Sequence, residues 1–185
     1  MLELINTFLG DIEAVEDEEG LEAVLSKMSS DLGFRYFALT HHVDLRHGRH
    51  PPLRIHNYPE GWEAYFDEQT LGGSDPVHRA SQTTGVGFAW SALPRMINLT
   101  NRDRRILIEA RRYGIGDGYT IPCHIPGKAN GSCSFAVRAG DTLPERLGPA
   151  QLVGSQAFGA ARRVARQPAR CRPFRTMFPD ASANA

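Results

Sequence analysis

An antiparallel sheet covered by helices on both faces, an α+β domain, is the fold class this sequence predicts. Three observations predict it. Apolar residues recur at three- and four-residue spacing near both ends of the chain, the mark of helices that bury one face. Between them lie short runs rich in aromatic and β-compatible residues. Those runs come as neighbours joined through turn residues, which suits hairpins better than parallel crossovers.

The elements follow in order. Leu2, Ile5, Leu9 and Ile12 place an apolar stripe on a first helix. Leu21, Val24, Leu25, Met28 and Leu32 repeat the pattern, and Gly33 follows as a C-cap. Phe34 to Val43 reads as a strand, and Leu53 to Asn57 as a second one after a Pro-containing loop. Pro59 starts a helix in which Trp62, Tyr65 and Phe66 stand at i, i+3 and i+4. Gly72, Gly73 and Ser74 break it, and Asp75-Pro76 opens a short new helix with Asp75 as N-cap. Gly85 to Trp90 reads as a short strand. Thr100 with Asp103 forms a capping box for a helix reaching about Tyr113. Tyr119 to Ile125 and Ser132 to Ala139 are strands joined through a turn ending in Asn130-Gly131. A last helix runs from about Leu147 to Gln167, with Leu152, Phe158 and Val164 directed inward. Residues 1–167 are thus expected to form one domain, and 168–185 a basic, Pro- and Arg-containing tail or linker.

Composition narrows the function classes. Across 185 residues, 21 basic and 21 acidic side chains cancel, which excludes a uniformly basic nucleic-acid coat. The cancellation hides a gradient: residues 1–32 carry a balance of −8 and residues 160–185 a balance of +5. No apolar run approaches the ~20 residues of a membrane span, and the N-terminus has no basic region of a secretory signal. A cytoplasmic protein without membrane association is expected. Cys123, Cys133 and Cys171 show no CxxC spacing, so neither a disulfide framework nor a zinc knuckle is expected.

Catalytic constellations fail one by one. Cys123 and His124 point to opposite faces of a strand and cannot easily form a dyad. His41 and His42 alternate in the same way, which argues against a metal pair. The glycines of Gly114-Ile-Gly-Asp-Gly118 follow a helix and precede a strand, the reverse of a phosphate-binding loop. No catalytic residue, metal site or cofactor is expected. What stands out is an aromatic set with one carboxylate: Tyr58, Trp62 and Phe66 at intervals of four, then Asp75, then Phe88 and Trp90. Aromatic walls with a hydroxyl, an indole N–H and an acceptor suit a small, mostly apolar ligand that carries an amide.

Four fragments in order, Asn57-Tyr-Pro-x-x-Trp62, Asp75-Pro76-Val, Phe88-Ala-Trp90-Ser and Tyr113-Gly-Ile-x-x-Gly118-x-Thr-Ile-Pro122, resemble the autoinducer-binding domain of LuxR-type quorum-sensing regulators. The resemblance runs from about residue 4 to 166. It implies an α/β/α sandwich around a five-stranded antiparallel sheet, a PAS/GAF-like ligand-binding domain that takes an N-acyl-homoserine lactone between sheet and helices. By that resemblance Trp62 donates to the lactone carbonyl, Asp75 accepts the amide N–H, and Tyr58 donates to the acyl carbonyl. Trp90 packs near the lactone ring, and Ser134 matches a hydroxyl that some members use on the acyl carbonyl. Ala38, Tyr65, Val77 and Phe88 supply pocket wall, and Gly118 a backbone turn beneath it.

The family usually places Tyr four residues after this Trp; here Phe66 stands there, with Tyr65 one earlier. Either the helix is shifted by one residue or the acyl-chain wall lacks a hydroxyl. Such regulators also carry a C-terminal helix-turn-helix domain for DNA, and the 18 residues after Gln167 show no such pattern. The expected partners are the lactone and a second copy or a related regulator, forming a homodimer or heterodimer. The first functional expectation is a quorum-sensing signal-binding domain. The alternative is a truncated interaction protein that dimerises with full-length regulators and inhibits them.

Overall fold

The computed structural model describes residues 1–41, 54–124 and 130–165. In chain order the elements are α1 (Leu2–Glu13), α2 (Glu18–Asp31), β1 (Tyr36–His41), β2 (Arg54–His56), α3 (Glu60–Glu68), α4 (Pro76–Ser81), β3 (Phe88–Ala89), α5 (Leu93–Met96), α6 (Asn101–Arg112), β4 (Ile115–Cys123), β5 (Gly131–Arg138) and α7 (Gly148–Val164). The strands form one antiparallel sheet in the order β2-β1-β5-β4-β3. This is the five-stranded α+β sandwich expected from the sequence. The expected end of the first strand at His42 and Val43, the expected start of the second at Leu53, the turn before Asn130, Cys171 and the basic tail lie outside the described residues.

Alternation along the strands gives the sheet two unlike faces. Phe37, Leu39, Tyr119, Ile121, Cys133, Phe135 and Val137 pack with α1, α2 and α7 into the main apolar core. Each large apolar side chain closed there contributes roughly 1.5–3 kcal/mol. Small residues let α7 approach: a side chain at Gly154 would lie 3.0 Å from Ile121. The opposite face, reached by Tyr36, Ala38, Thr120, Ser134 and Ala136, lies beneath α3, α4 and α6.

Helix ends follow local chemistry. Asp17 accepts the Gly20 N–H at 2.8 Å to cap α2, and Gly33, at φ +88°, supplies the left-handed residue after it. Asp75 caps α4 through the Val77 N–H at 3.0 Å. Thr100 and Asp103 form the reciprocal capping box of α6. Asp103 does more than cap. Arg79 from α4 donates to both of its oxygens, at 2.8 and 2.9 Å, which fastens α4 to α6. Arg163 near the end of α7 likewise donates to the Ile12 carbonyl at 2.8 Å, tying the last helix to the first.

Three sequence expectations change. In α1 the buried stripe is Ile5, Phe8 and Ile12, while Leu2 is 76% exposed. In α7 Leu152 faces solvent at 38% exposure; Val153, Ala157, Phe158 and Ala161 turn inward because the close sheet contact admits small residues on that line. Strand β4 starts at Ile115 rather than Tyr119, so the glycine run is strand, with an irregularity between Ile115 and Gly118.

Burial alone would raise the Asp103 carboxyl, but the Thr100 N–H and Arg79 outweigh it and hold it below its usual range. A carboxyl depressed in the folded state adds stability above its unfolded value near 3.8, and that contribution disappears as pH falls through the lower folded value. Asp103→Asn is expected to lose about 1–2 kcal/mol at pH 7, a modest figure because Arg79 is 39% exposed and screened. Urea unfolding at descending pH should show the difference from wild type shrinking below pH 4.

Candidate functional site

Of the site residues expected from the sequence, Ala38, Gly118 and Ser134 stand on the second face of the sheet, and Tyr58, Trp62, Tyr65, Phe66 and Trp90 share one cluster against it. Ala38, Ser134 and Thr120 stand opposite one another across β1, β5 and β4, and His56 and Phe88 extend the same row to both edges. Above this row sits an aromatic cluster of Tyr36, Tyr58, Trp62, Tyr65, Phe66 and Trp90 with Leu71, Ile106, Ala110 and Ile115. Val77 and Phe88 join a neighbouring cluster that Trp90 also touches.

Local interactions place each group. Asn57 accepts the Phe37 N–H at 2.7 Å and donates to the Arg35 carbonyl at 3.2 Å, continuing the β1–β2 pairing past the strand. That anchor fixes Tyr58, whose ring lies 6.0 Å from Tyr36 and 5.9 Å from His56. On α3, Trp62 stacks on Tyr65 at 5.7 Å and meets Phe66 edge-on at 5.9 Å. Arg54 of β2 pins α3 from outside, donating to Asp67 at 2.8 Å and Glu63 at 2.8 Å, with its guanidinium 5.9 Å over the Phe66 ring.

Phe66 keeps the i+4 position against Trp62, while Tyr65 turns to Tyr113 at 5.9 Å. At the Phe66 position the wall lacks a hydroxyl.

Gly118 is corrected from turn to strand. A Cβ there would stand 2.5 Å from the Trp90 indole, so glycine is what lets that ring lie flat on β4. Trp90 Nε1 donates to Thr120 Oγ1 at 2.8 Å, and Thr120 Oγ1 pairs with Ser134 Oγ at 2.8 Å. Ser134 is thus the end of a hydrogen-bonded chain rather than an isolated hydroxyl. Sequence reasoning passed over Thr120, Tyr36 and His56. Thr120 was findable by period two from Gly118; Tyr36 and His56 needed the pairing of β1 with its neighbours.

Polar tips differ sharply in their satisfaction. Neither the Tyr58 hydroxyl nor the Trp62 indole N–H makes a hydrogen bond among the described residues. Asp75 Oδ1 accepts only from backbone, and no side chain donates to that carboxylate among the described residues. Burial raises the Asp75 carboxyl above its usual range. Burial also raises the Tyr58 phenol, and the nearby Asp75 charge raises it further. Among the described residues, two donors of the aromatic cluster and the Asp75 carboxylate thus have no side-chain hydrogen-bond partner. Such a set can hold a ligand with carbonyls and an N–H.

The cysteines do not belong to it. Cys123 and Cys133 lie on the α7 side of the sheet, where burial pushes the Cys123 thiol up to about 12 and Cys133 well above its usual value. His124 projects the other way, with Nε2 2.9 Å from the Ser81 carbonyl. Among the described residues no group of three His, Cys, Asp or Glu side chains could hold a metal, and no helix is long and apolar enough to cross a membrane.

The family of autoinducer binding domains matches residues 17–161. The chain belongs to that family, the autoinducer-binding domains of LuxR-type regulators. It is 28% identical over 161 residues to the quorum sensing-dependent transcriptional regulator RpaR of Rhodopseudomonas palustris, covering 84% of this chain and 65% of the regulator. The transcriptional activator TraR of Agrobacterium vitis is 28% identical over 134 residues, covering 72% of this chain and 54% of its own. The chain thus spans between half and two thirds of these relatives. Its fold matches that of the N-acylhomoserine lactone-dependent LuxR family transcription factor CepR2 of Burkholderia cenocepacia, with a TM-score of 0.74 at 17% identity over 90% of this chain and 98% of that one. A GAF domain from Coxiella burnetii shares the fold more loosely, with a TM-score of 0.55 at 13% identity over 89% of this chain and 92% of that one.

The raised Asp75 carboxyl has a consequence for stability. A group whose folded value is raised binds more protons when folded, so stability falls as pH rises above 3.8 toward that folded value. Asp75→Asn keeps the helix cap and removes the charge. It is expected to stabilise the ligand-free domain at pH 7 on the order of 1 kcal/mol. Thermal unfolding at pH 5 and pH 7 checks this, and the gain should be smaller at pH 5.

Proposed function

We propose that this domain is the signal sensor of a quorum-sensing transcriptional regulator and binds an N-acyl-homoserine lactone in the hollow above the Ala38–Ser134–Thr120 row. The supporting observation is that, among the described residues, the Tyr58 hydroxyl and the Trp62 indole N–H of one aromatic cluster make no hydrogen bond and the Asp75 carboxylate accepts from backbone alone. An ionised carboxylate only accepts, so Asp75 suits the amide N–H of the ligand; Trp62 suits the lactone carbonyl and Tyr58 the acyl carbonyl. Trp90, held by Thr120, walls the lactone ring. Ser134 stands at the floor, and Phe66 and Tyr65 border the acyl chain.

The domain acts by binding and not by catalysis. The Cys123 and Cys133 thiols are raised and packed on the α7 side of the sheet, so neither is an activated nucleophile beside the ligand. Ligand binding couples to folding because the lactone supplies the partners that the polar tips lack, each unpaired group costing roughly 1–3 kcal/mol. In the whole regulator, the domain passes ligand occupancy to a DNA-binding part, as a dimer in the cytoplasm.

At a hundredfold excess over Kd, mass action adds about 2.7 kcal/mol, so a matching lactone is expected to raise the melting temperature by about 5–10 °C. Trp62→Ala and Asp75→Ala should each abolish that shift, while the surface change Lys27→Ala should preserve it. A series of lactones from short to long acyl chains with no shift in any member would sink the reading.

A further inference from the structure

Resting on the lactone reading, we propose that His56 reads the third carbon of the acyl chain and selects a 3-hydroxyl there. His56 opposes Ala38, so it extends the floor row of the hollow at the β2 edge. Its ring stacks on Tyr58, with centroids 5.9 Å apart and planes at 28°. Tyr58 is the group given to the acyl carbonyl, and the chain atoms next to that carbonyl are the second and third carbons. Ala38, opposite His56, carries only a methyl group on this face.

The two ring nitrogens have different surroundings. Nε2 lies 3.3 Å from Glu63 Oε1, and that carboxylate is fixed in turn by Arg54 at 2.8 Å. A carboxylate only accepts, so Nε2 is the nitrogen that donates toward Glu63, and with the proton there Nδ1 is the ring's acceptor. Nδ1 is closed to solvent and has no hydrogen-bond partner, a condition unique to it among the described residues' buried side-chain polar atoms. A buried acceptor without a donor is a cost that a ligand donor relieves.

The three common chemistries of the third carbon then separate. A 3-hydroxyl donates to Nδ1. An unsubstituted methylene leaves Nδ1 unpaired. A 3-oxo group sets a second acceptor against it and is disfavoured most. The Arg54–Glu63 pair acts as a positioning element, since it holds the proton on the far nitrogen.

The test measures Kd of the full chain for three lactones of equal chain length that differ only at the third carbon. Wild type is expected to bind the 3-hydroxy form about tenfold tighter than the unsubstituted one, and the 3-oxo form weakest. His56→Phe keeps the stacking and removes the acceptor, and should bring the 3-hydroxy and unsubstituted forms to within about twofold of each other. Glu63→Gln can present an amide donor to Nε2 and release the proton to Nδ1, and should narrow the discrimination against the 3-oxo form. A wild-type preference for the 3-oxo or unsubstituted lactone, or a 3-hydroxy preference that survives in His56→Phe, overturns the assignment. Absence of binding by all three to wild type overturns the lactone reading itself and this inference with it. Unsubstituted binding with the wrong ranking overturns only the role of His56.

Discussion

Side chains alternate across β1, β5 and β4, and that period of two decides what each half of the molecule does. One set of residues, Phe37, Phe135 and Tyr119, is apolar and closes against α1, α2 and α7. The next set, Ala38, Ser134 and Thr120, is small and hydroxylic and cannot fill a core by itself. Helices α3, α4 and α6 cover it at a distance set by aromatic rings. The sealed half supplies the stability that lets the other half keep a hollow lined by unpaired polar tips.

Trp90 is the hinge of that arrangement in a chemical sense. Its ring lies on Gly118, its N–H is consumed by Thr120, and Thr120 is consumed by Ser134. Trp62 is a residue of the same type with the opposite condition, its N–H left over. One indole is therefore committed to structure, and the other has no hydrogen-bond partner among the described residues. Asp75 combines both duties: it caps α4 through Val77 and keeps a raised, side-chain-unpartnered carboxylate toward Tyr58. Stability given up at these atoms returns when ligand arrives, which links folding to sensing.

Much of this was legible in the sequence because the relevant constraints are local. The capping residues Asp75 and Thr100, the four-residue spacing of Tyr58, Trp62 and Phe66, and the opposite orientations of Cys123 and His124 all follow from neighbours in the chain. What was not legible depends on distant contacts. Leu152 fits a helical stripe, yet the close approach of α7 at Gly154 turns it outward. Phe8 replaces Leu9 in the core of α1 because the packing of α1 against α2 and α7 selects the face. Gly118 reads as a turn residue until Trp90 is placed over it. His56 gains meaning only when β2 pairs with β1 and Glu63 comes alongside.

The central claim is that the unpaired trio exists to meet an acyl amide and a lactone. The most direct measurement extracts small molecules from the domain purified from lactone-producing cells and identifies them by mass spectrometry. The account predicts a single N-acyl-homoserine lactone near one per chain, and its loss from Asp75→Ala protein. Stoichiometric recovery of a ligand without an amide, retained by the Asp75→Ala variant, would contradict it.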